Sequence, residues 1–235
     1  MKRVLIVLIV VSIFLTIGWN YSKSRDYQLF GAIISSVETD NKIVALTFDD
    51  GPWNSKYTQE VLSVLDELKV KGTFFLNGRG IEENMSDAKK IVSSGHALGN
   101  HSFSHDTLVF KRYETIEDEV ARTNTLIRSA GFVGEVYFRP PYGKKLLLLP
   151  YYLSKKGITT VTWNVEPESC KDVRKNSGSM VDHVVRNTEG GSIILLHVLG
   201  SKNATSRESL PLIIKQLRAK GYSFVLLPEL FRENV

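Results

Sequence analysis

The sequence predicts an α/β fold: a distorted or incomplete (β/α) barrel with about seven parallel strands, preceded by one N-terminal hydrophobic helix. From residue 42 onward, short apolar runs alternate with amphipathic segments whose apolar residues recur at helical spacing. This alternation indicates a parallel sheet, because each strand must be connected to the next by a crossover helix. About 190 residues follow residue 41, too few for eight full strand–helix units. A doubly wound open sheet is the alternative.

The individual elements follow from apolar periodicity and from the glycines that end it. We predict strands at 43–48, 73–76, 97–100, 136–139, 159–165, 192–197 and 223–227. We predict helices at 57–69, 87–94, 116–127, 146–155, 180–188 and 210–220. Ser179 is the expected N-cap of the fifth helix, and Pro150 is expected to delay or kink the fourth.

Composition and charge limit the class of protein. The 235 residues are 43% hydrophobic and 23% charged, which is typical of a folded globular chain. A net charge of +5 favours anionic surroundings, but no basic cluster interleaved with aromatic residues indicates nucleic acid. Cys170 is the only cysteine, so an intrachain disulfide and a cysteine-based zinc cluster are excluded. We expect Cys170 to be buried and without a chemical role, and we expect a monomer.

An apolar run at residues 4–19 follows Lys2 and Arg3. A helix of about sixteen residues spans roughly 24 Å, slightly less than the roughly 30 Å of a bilayer core, and Trp19 and Tyr21 would extend it at the interface. We therefore predict a retained single-pass anchor in the cell membrane and an extracytoplasmic domain. The alternative is a cleaved signal peptide and a secreted protein. The predicted divisions are an anchor at 1–24, a stalk at 25–41 and a catalytic domain at 42–231.

Titratable side chains occur where the predicted strands end. They are Asp49 and Asp50 after the first strand, His101 and His105 after the third, Arg139 at the end of the fourth, Glu166 after the fifth and His197 at the end of the sixth. The carboxyl ends of parallel strands meet on one face of an α/β fold, and this face carries the active site. The sequence therefore predicts an active site built from these residues.

Asp49 and Asp50 stand next to each other at a strand end. Successive side chains of an extended chain point in opposite directions, so one carboxylate can bind a metal while the other acts as a base. An Asp-Gly turn capped by Asp50 is the structural alternative. The residues alone leave both interpretations open.

His101 and His105 are four residues apart, which places both on one metal ion if the segment coils. Two surface histidines are the alternative. With Asp50 they would give three protein ligands and an open position, as in catalytic zinc sites. His197 is a candidate general acid, or else a satisfied core residue. We interpret His96 and His183 as structural or surface residues.

Four motifs occur in a fixed order: TFDDGP at Thr47–Pro52, NHSFSH at Asn100–His105, RPPYG at Arg139–Gly143 and LLH at Leu195–His197. As a set, they resemble the polysaccharide deacetylases of carbohydrate esterase family four, the NodB-homology family. The resemblance covers roughly residues 42–231 and implies a distorted barrel with about seven strands. It also implies hydrolysis of N-acetyl groups on a cell-wall or surface polysaccharide, such as peptidoglycan or a chitin-like polymer.

The resemblance assigns roles residue by residue. It implies that Asp49 is the catalytic base, that Arg139 pairs with it, and that His197 is the general acid. The implied ligands of zinc, or of another divalent metal such as cobalt, are Asp50, His101 and His105. The backbone N–H of Tyr142 would stabilise the oxyanion. Pro141, Trp163 and Glu166 are expected to contribute to substrate binding.

One segment departs from the family pattern. Glu166, Ser169 and Cys170 stand where the family has Asp, Asp and Trp. We expect the longer Glu166 carboxylate to reach His197 still, and the missing indole to open one wall of the acetyl pocket. The departure leaves two alternatives to an N-deacetylase: an esterase that removes O-acetyl groups, as from acetylated xylan, and a weakly active wall-binding protein.

Overall fold

Helices and short strands alternate along residues 2–234, the part of the chain that the computed structural model describes. The helices are α1 (Lys2–Ser22), α2 (Ser55–Glu67), α3 (Gly78–Glu83), α4 (Met85–Ser93), α5 (Tyr113–Ser129), α6 (Leu148–Lys155), α7 (Ser177–Asn187), α8 (Ala204–Ala219) and α9 (Leu227–Phe231), with 3-10 turns at Pro141–Gly143 and Arg232–Asn234. The strands are β1 (Ile33–Ile34), β2 (Ile43–Asp49), β3 (Thr73–Leu76), β4 (Ala97–Asn100), β5 (Thr160–Val161), β6 (Ile193–His197) and β7 (Ser223–Val225).

Strand β2 is the centre of a five-stranded parallel sheet. The strand order is β4-β3-β2-β6, and β7 pairs with the beginning of β2. Strands β1 and β5 form a separate parallel pair. Isolated bridges link them: Phe138 pairs with Asn100 and Thr160, Val165 pairs with Ile194, and Ser36 pairs with Ser192. The predicted α/β class with parallel strands is therefore confirmed, whereas a barrel is not, because no continuous ladder joins the two sheets among the described residues.

Burial explains why these segments form strands and helices. Every residue of β2 after Ile43 is buried, as expected for a parallel strand covered on both faces. In α5, the predicted apolar face of Ile116, Val120 and Ile127 is fully buried. The sheet thus holds the carboxyl end of β2, and with it Asp49, in a fixed position.

Several element boundaries differ from the prediction. Helix α7 begins at Ser177, and its cap is the Asn176 side chain, which accepts a hydrogen bond from the Ser179 backbone N–H at 3.0 Å; Ser179 is therefore not the cap. Helix α6 begins at Leu148, so Pro150 lies in its first turn, where a missing N–H costs little. The strand predicted at 136–139 is reduced to the bridges at Phe138.

The predicted membrane anchor is wrong. Among the described residues, no helix combines the length and the apolar character needed to cross a bilayer. Ser12, Thr16 and Gly18 interrupt the apolar run, which was already shorter than the hydrocarbon core. The location in the membrane that we predicted from this run is therefore withdrawn. Met1, the first residue of the predicted segment, lies outside the described residues.

Residues 25–41, which we predicted to be a stalk, contact the rest of the chain. Strand β1 pairs with β5, and the Val37 N–H donates to the carbonyl of Gly191 at 3.0 Å. Nearer the N-terminus, the Thr162 hydroxyl donates to the carbonyl of Arg25 at 2.6 Å. These contacts bring Arg25 and its neighbours against the segment that follows β5.

His96 is a buried structural residue next to β4. It is 3% exposed, and its Nδ1 accepts a hydrogen bond from the Gly72 N–H at 3.1 Å. Burial and the charge of Lys71 together lower the pKa of His96 to about 4. The charge of Asp66 acts in the opposite direction and is weaker. Between that value and its usual 6.5, the unfolded chain binds a proton that the folded chain does not. The folded state therefore loses stability as the pH falls through this window.

The substitution His96→Asn should reduce this acid sensitivity. Asparagine retains an acceptor for the Gly72 N–H but does not titrate. Between pH 7 and pH 4.5, the free energy of unfolding should therefore fall by about 2 to 3 kcal/mol less in His96→Asn than in the parent chain. Urea unfolding at the two pH values measures the difference. His183→Asn, on the partly exposed face of α7, is the matched control. Equal pH dependence in His96→Asn and in the parent chain would contradict the assignment.

Candidate active site

Asp49, the last residue of β2, forms a buried ion pair with Arg139. The Arg139 Nη1 donates to Asp49 Oδ1 at 2.7 Å, and both side chains are at most 2% exposed. Burial by itself would raise the pKa of Asp49, but the charges of Arg139, His101 and His197 outweigh it, so the pKa lies below its usual value. Asp49 is therefore a carboxylate held in its ionised form.

Arg139 is one of the largest fully buried side chains in the described chain. Its guanidinium lies 4.0 Å from the centre of the Phe75 ring. Four of its five N–H groups donate, to the Thr47 hydroxyl at 2.9 Å, to the carbonyls of Val161 and Thr162 at 3.3 and 2.9 Å, and to Asp49. This network fixes the position of the Asp49 carboxylate.

Asp50, His101 and His105 form a candidate metal centre. Their ligand atoms all lie within 4.8 Å of one another. His105 Nε2 is 3.3 Å and His101 Nε2 is 3.9 Å from Asp50 Oδ1. One carboxylate oxygen and two imidazole nitrogens form a set that suits zinc and related divalent ions.

A hydrogen bond from the second ring nitrogen fixes the orientation of His101. Its Nδ1 donates to the backbone carbonyl of Arg139 at 2.7 Å, which leaves Nε2, the nitrogen facing Asp50, without its proton. Metal-binding histidines are held by such bonds on the second nitrogen. Burial lowers the pKa of His101 and of His105, so both rings favour the neutral form that binds metals. The residues present therefore fit a divalent metal ion.

The loop that carries the two histidines is a left-handed turn, not the helical turn that we considered. Ser102 and His105 both have φ of +64°, and Asn100 Oδ1 accepts from the Ser102 N–H at 2.8 Å. The Glu119 carboxylate on α5 accepts from the N–H groups of Phe103 and Ser104 at 2.8 and 2.9 Å. Helix α5 thus holds the metal-binding loop in place.

His197, at the end of β6, is paired with Glu168. Its Nδ1 lies 2.6 Å from Glu168 Oε2, and its backbone N–H donates to Glu168 Oε1 at 2.9 Å. Burial would lower the pKa of His197, but the hydrogen bond and charge of Glu168, with Asp49 and Asp50, raise it to about 9. The imidazole is therefore protonated at neutral pH, with Nε2 4.0 Å from Asp50 Oδ2.

Glu168 is a site residue that the sequence analysis missed, and Glu166 does not have the position that we expected. Glu166 Oε2 accepts from the Ser169 hydroxyl at 2.6 Å and lies 3.5 Å from Arg25. It borders the cleft but points away from His197, because the chain after Pro167 turns and brings Glu168 to the imidazole. The carboxylate spacing Glu166-Pro167-Glu168 was the available signal.

A cleft of about 450 Å³ unites most of the predicted site. Its lining includes Asp49, Asp50, His101, His105, Tyr142, Trp163, Glu166 and His197, together with the unpredicted Lys23, Arg25 and Lys144. Arg139 lies beneath it, behind Asp49. Pro141 is buried beside Tyr142 and is not part of the lining, and Cys170 is exposed, not buried as we expected.

Tyr142 and Trp163 are the aromatic residues that line the cleft among the described residues. Tyr142 is 61% exposed, has φ of +59°, and packs edge-on against the His105 ring at 4.7 Å. Trp163 is buried, and the Arg25 guanidinium covers its face at 4.8 Å from the ring centre. The lining of the cleft therefore combines two aromatic side chains with the titratable residues of the site.

A buried Asp–Arg pair, an Asp-His-His set and a Glu–His pair lie where the parallel strands end. Together they define a hydrolase with a candidate metal centre. Comparison with known proteins identifies the family. The polysaccharide deacetylase model matches residues 36–161, and the chain belongs to this family. The resemblance to carbohydrate esterase family four is thereby confirmed.

Individual relatives agree with this membership. A peptidoglycan-N-acetylglucosamine deacetylase of Bacillus cereus is 35% identical over 193 residues, covering 81% of this chain and 69% of the relative. The peptidoglycan-N-acetylmuramic acid deacetylase PdaA of Bacillus subtilis is 30% identical over 232 residues, covering 93% and 87%. A crystal structure of a peptidoglycan N-acetylglucosamine deacetylase superposes with a TM-score of 0.78 at 32% identity, covering 85% of this chain and 92% of the other.

Proposed function

We propose that this protein is a metal-dependent deacetylase that removes N-acetyl groups from peptidoglycan, releasing acetate and leaving a free amino sugar. One observation carries the proposal: a base paired with arginine and an acid paired with glutamate flank one candidate metal centre in one cleft. Relatives that act on peptidoglycan N-acetyl groups support the choice of substrate.

Asp49 is the proposed general base. Arg139 keeps its carboxylate ionised, so it can accept a proton from the attacking water as the water adds to the acetamide carbonyl. Arg139 is fully buried and does not line the cleft, so it acts through Asp49. It is a positioning residue.

Asp50, His101 and His105 are the proposed metal ligands. A divalent ion such as zinc, when bound there, supplies Lewis acidity and lowers the pKa of water. The chain contributes the fixed orientation of the imidazoles, through the bond from His101 to the Arg139 carbonyl and through Glu119 at the loop. The backbone N–H of Tyr142 is the proposed donor to the oxyanion.

His197 is the proposed general acid. An amine leaves only when its nitrogen is protonated, and the raised pKa of His197 keeps a proton available on the ring at neutral pH. Glu168 accepts from Nδ1, so that Nε2 faces the cleft. Trp163 and Glu166 are proposed to border the bound sugar, with Pro141 supporting Tyr142 from below.

Acetate release tests this function. The full chain, with zinc supplied, should release acetate from peptidoglycan, and release should stop with a chelator and return with added zinc. Chitooligosaccharides and acetylated xylan are the comparison substrates. Release from acetylated xylan alone would indicate an O-acetyl esterase instead. Zinc binding without acetate release from any glycan would overturn the proposal and indicate a wall-binding protein.

A further inference from the structure

We propose that Lys23 and Lys144 form a subsite for a carboxylate of the glycan, so that the cleft prefers an acidic sugar chain to a neutral one. The inference rests on the proposed deacetylase function and specifies which glycan the same cleft binds best. Both lysines line the cleft that holds Asp50 and the two candidate histidine ligands.

The ammonium groups of Lys23 and Lys144 both lie beside the same aromatic ring. Lys23 Nζ and Lys144 Nζ lie 5.0 and 4.8 Å from the centre of the same indole ring, that of Trp19. The lysines that form ion pairs with described carboxylates are others: Lys90, Lys111 and Lys156. Both lysines contribute positive charge to the lining of one cleft, so an anion bound there is favoured by Coulomb attraction.

The backbone on both sides of this pair is fixed. The backbone N–H of Lys145 donates to the carbonyl of Ser22 at 2.8 Å, and its buried ammonium donates to the carbonyl of Ser24. The Thr162 hydroxyl holds the carbonyl of Arg25. Lys23 therefore extends from an ordered segment that is hydrogen-bonded to the residue next to Lys144.

Arg25 does not serve as a free cation of this subsite. Its guanidinium is 3.5 Å from Glu166 Oε2 and lies over the Trp163 ring, so its charge is already compensated within the wall. Lys23 and Lys144 differ from Arg25 because neither forms an ion pair with a carboxylate among the described residues.

A second cleft of about 550 Å³ lies beyond His197 and is also cationic. Arg174, Lys175 and Lys202 are among its lining residues, with His197 shared between the two clefts. Glu168, the carboxylate in that lining, is occupied by His197 and by the Ser206 hydroxyl. A sugar chain passing His197 would meet cations on both sides, which suits a polymer with repeated carboxylates, such as a peptidoglycan strand without stem peptides, whose lactyl carboxylates are free.

A matched pair of substrates tests the subsite. The probes are oligosaccharides of alternating N-acetylglucosamine and N-acetylmuramic acid without stem peptides, and the same compounds with the lactyl carboxylates converted to amides. The parent chain should show a kcat/KM for acetate release about fivefold higher on the acid form, the size expected for two exposed ion pairs. In Lys23→Gln/Lys144→Gln, the ratio should fall to near one, and added salt should lower the ratio of the parent.

The double variant Lys89→Gln/Lys215→Gln is the charge-matched control, because both lysines are exposed and neither lines the cleft. It should keep the parent ratio. Equal rates on acid and amide in the parent chain, or an unchanged ratio in Lys23→Gln/Lys144→Gln, would overturn the subsite and leave the deacetylase function intact. Absence of acetate from both forms, with zinc bound, would overturn both.

Discussion

The substitution Asp49→Asn is expected to lower kcat for acetate release by about a thousandfold, the contribution of a well-placed general base. Asparagine has nearly the same shape and can still accept from Arg139, but it cannot take a proton from water. Asp50, His101 and His105 are unchanged, so zinc affinity measured by titration calorimetry should remain close to that of the parent chain.

Stability is the second measurement for Asp49→Asn. Without the carboxylate, the Arg139 charge is buried and uncompensated, which costs about 3 kcal/mol in comparable cases. Its bonds to Thr47, Val161 and Thr162 persist and keep the side chain in place. A folded, zinc-binding Asp49→Asn chain that retains a tenth of the parent activity would show that another group is the base.

The substitution Glu168→Gln is expected to lower kcat by about a hundredfold while leaving KM and zinc affinity nearly unchanged. The amide can accept from the His197 backbone, but it removes the charge that holds a proton on the imidazole. The pKa of His197 should fall, so His197 loses its proton at a lower pH in Glu168→Gln than in the parent chain. The alkaline limb of the kcat profile should therefore move to lower pH.

Two variants provide the comparison for Glu168→Gln. Ser206→Ala removes the other hydrogen bond to the Glu168 carboxylate without changing its charge, so its kcat should change little. Glu166→Gln tests the neighbour that contacts Arg25 and Ser169 instead of His197. If Glu166→Gln moved the pH profile and Glu168→Gln did not, the proposal that Glu168 holds the proton on His197 would be wrong.

The sequence predicted the part of the site that regular strands position. Asp49 and His197 end β2 and β6, which pair in register, so Asp49 lies beside His197 as the rule for strand ends requires. It did not distinguish Glu166 from Glu168, because the segment after β5 is irregular and no periodicity shows which carboxylate faces inward. It also missed Lys23 and Arg25.

The missed residues are close in space to groups far away in the chain. Arg25 contacts Glu166 and Trp163 across more than a hundred positions, and local patterns carry no information on such a contact. The two-residue strand β1 was unpredictable for a related reason, whereas its partner β5 lies within the strand predicted at 159–165. Such a short ladder is set by the loops around it and not by its own alternation of side chains.

The complete burial of Arg139 couples the chemistry of the base to the free energy of folding. Removing either member of the Asp49–Arg139 pair leaves one charge in the interior, whereas Asp49→Asn/Arg139→Met removes both. The two substitutions should therefore be strongly non-additive in stability, and the double variant more stable than either single one. Such a chain would keep Asp50 and both histidines, and would be a robust inactive form for trapping bound glycan.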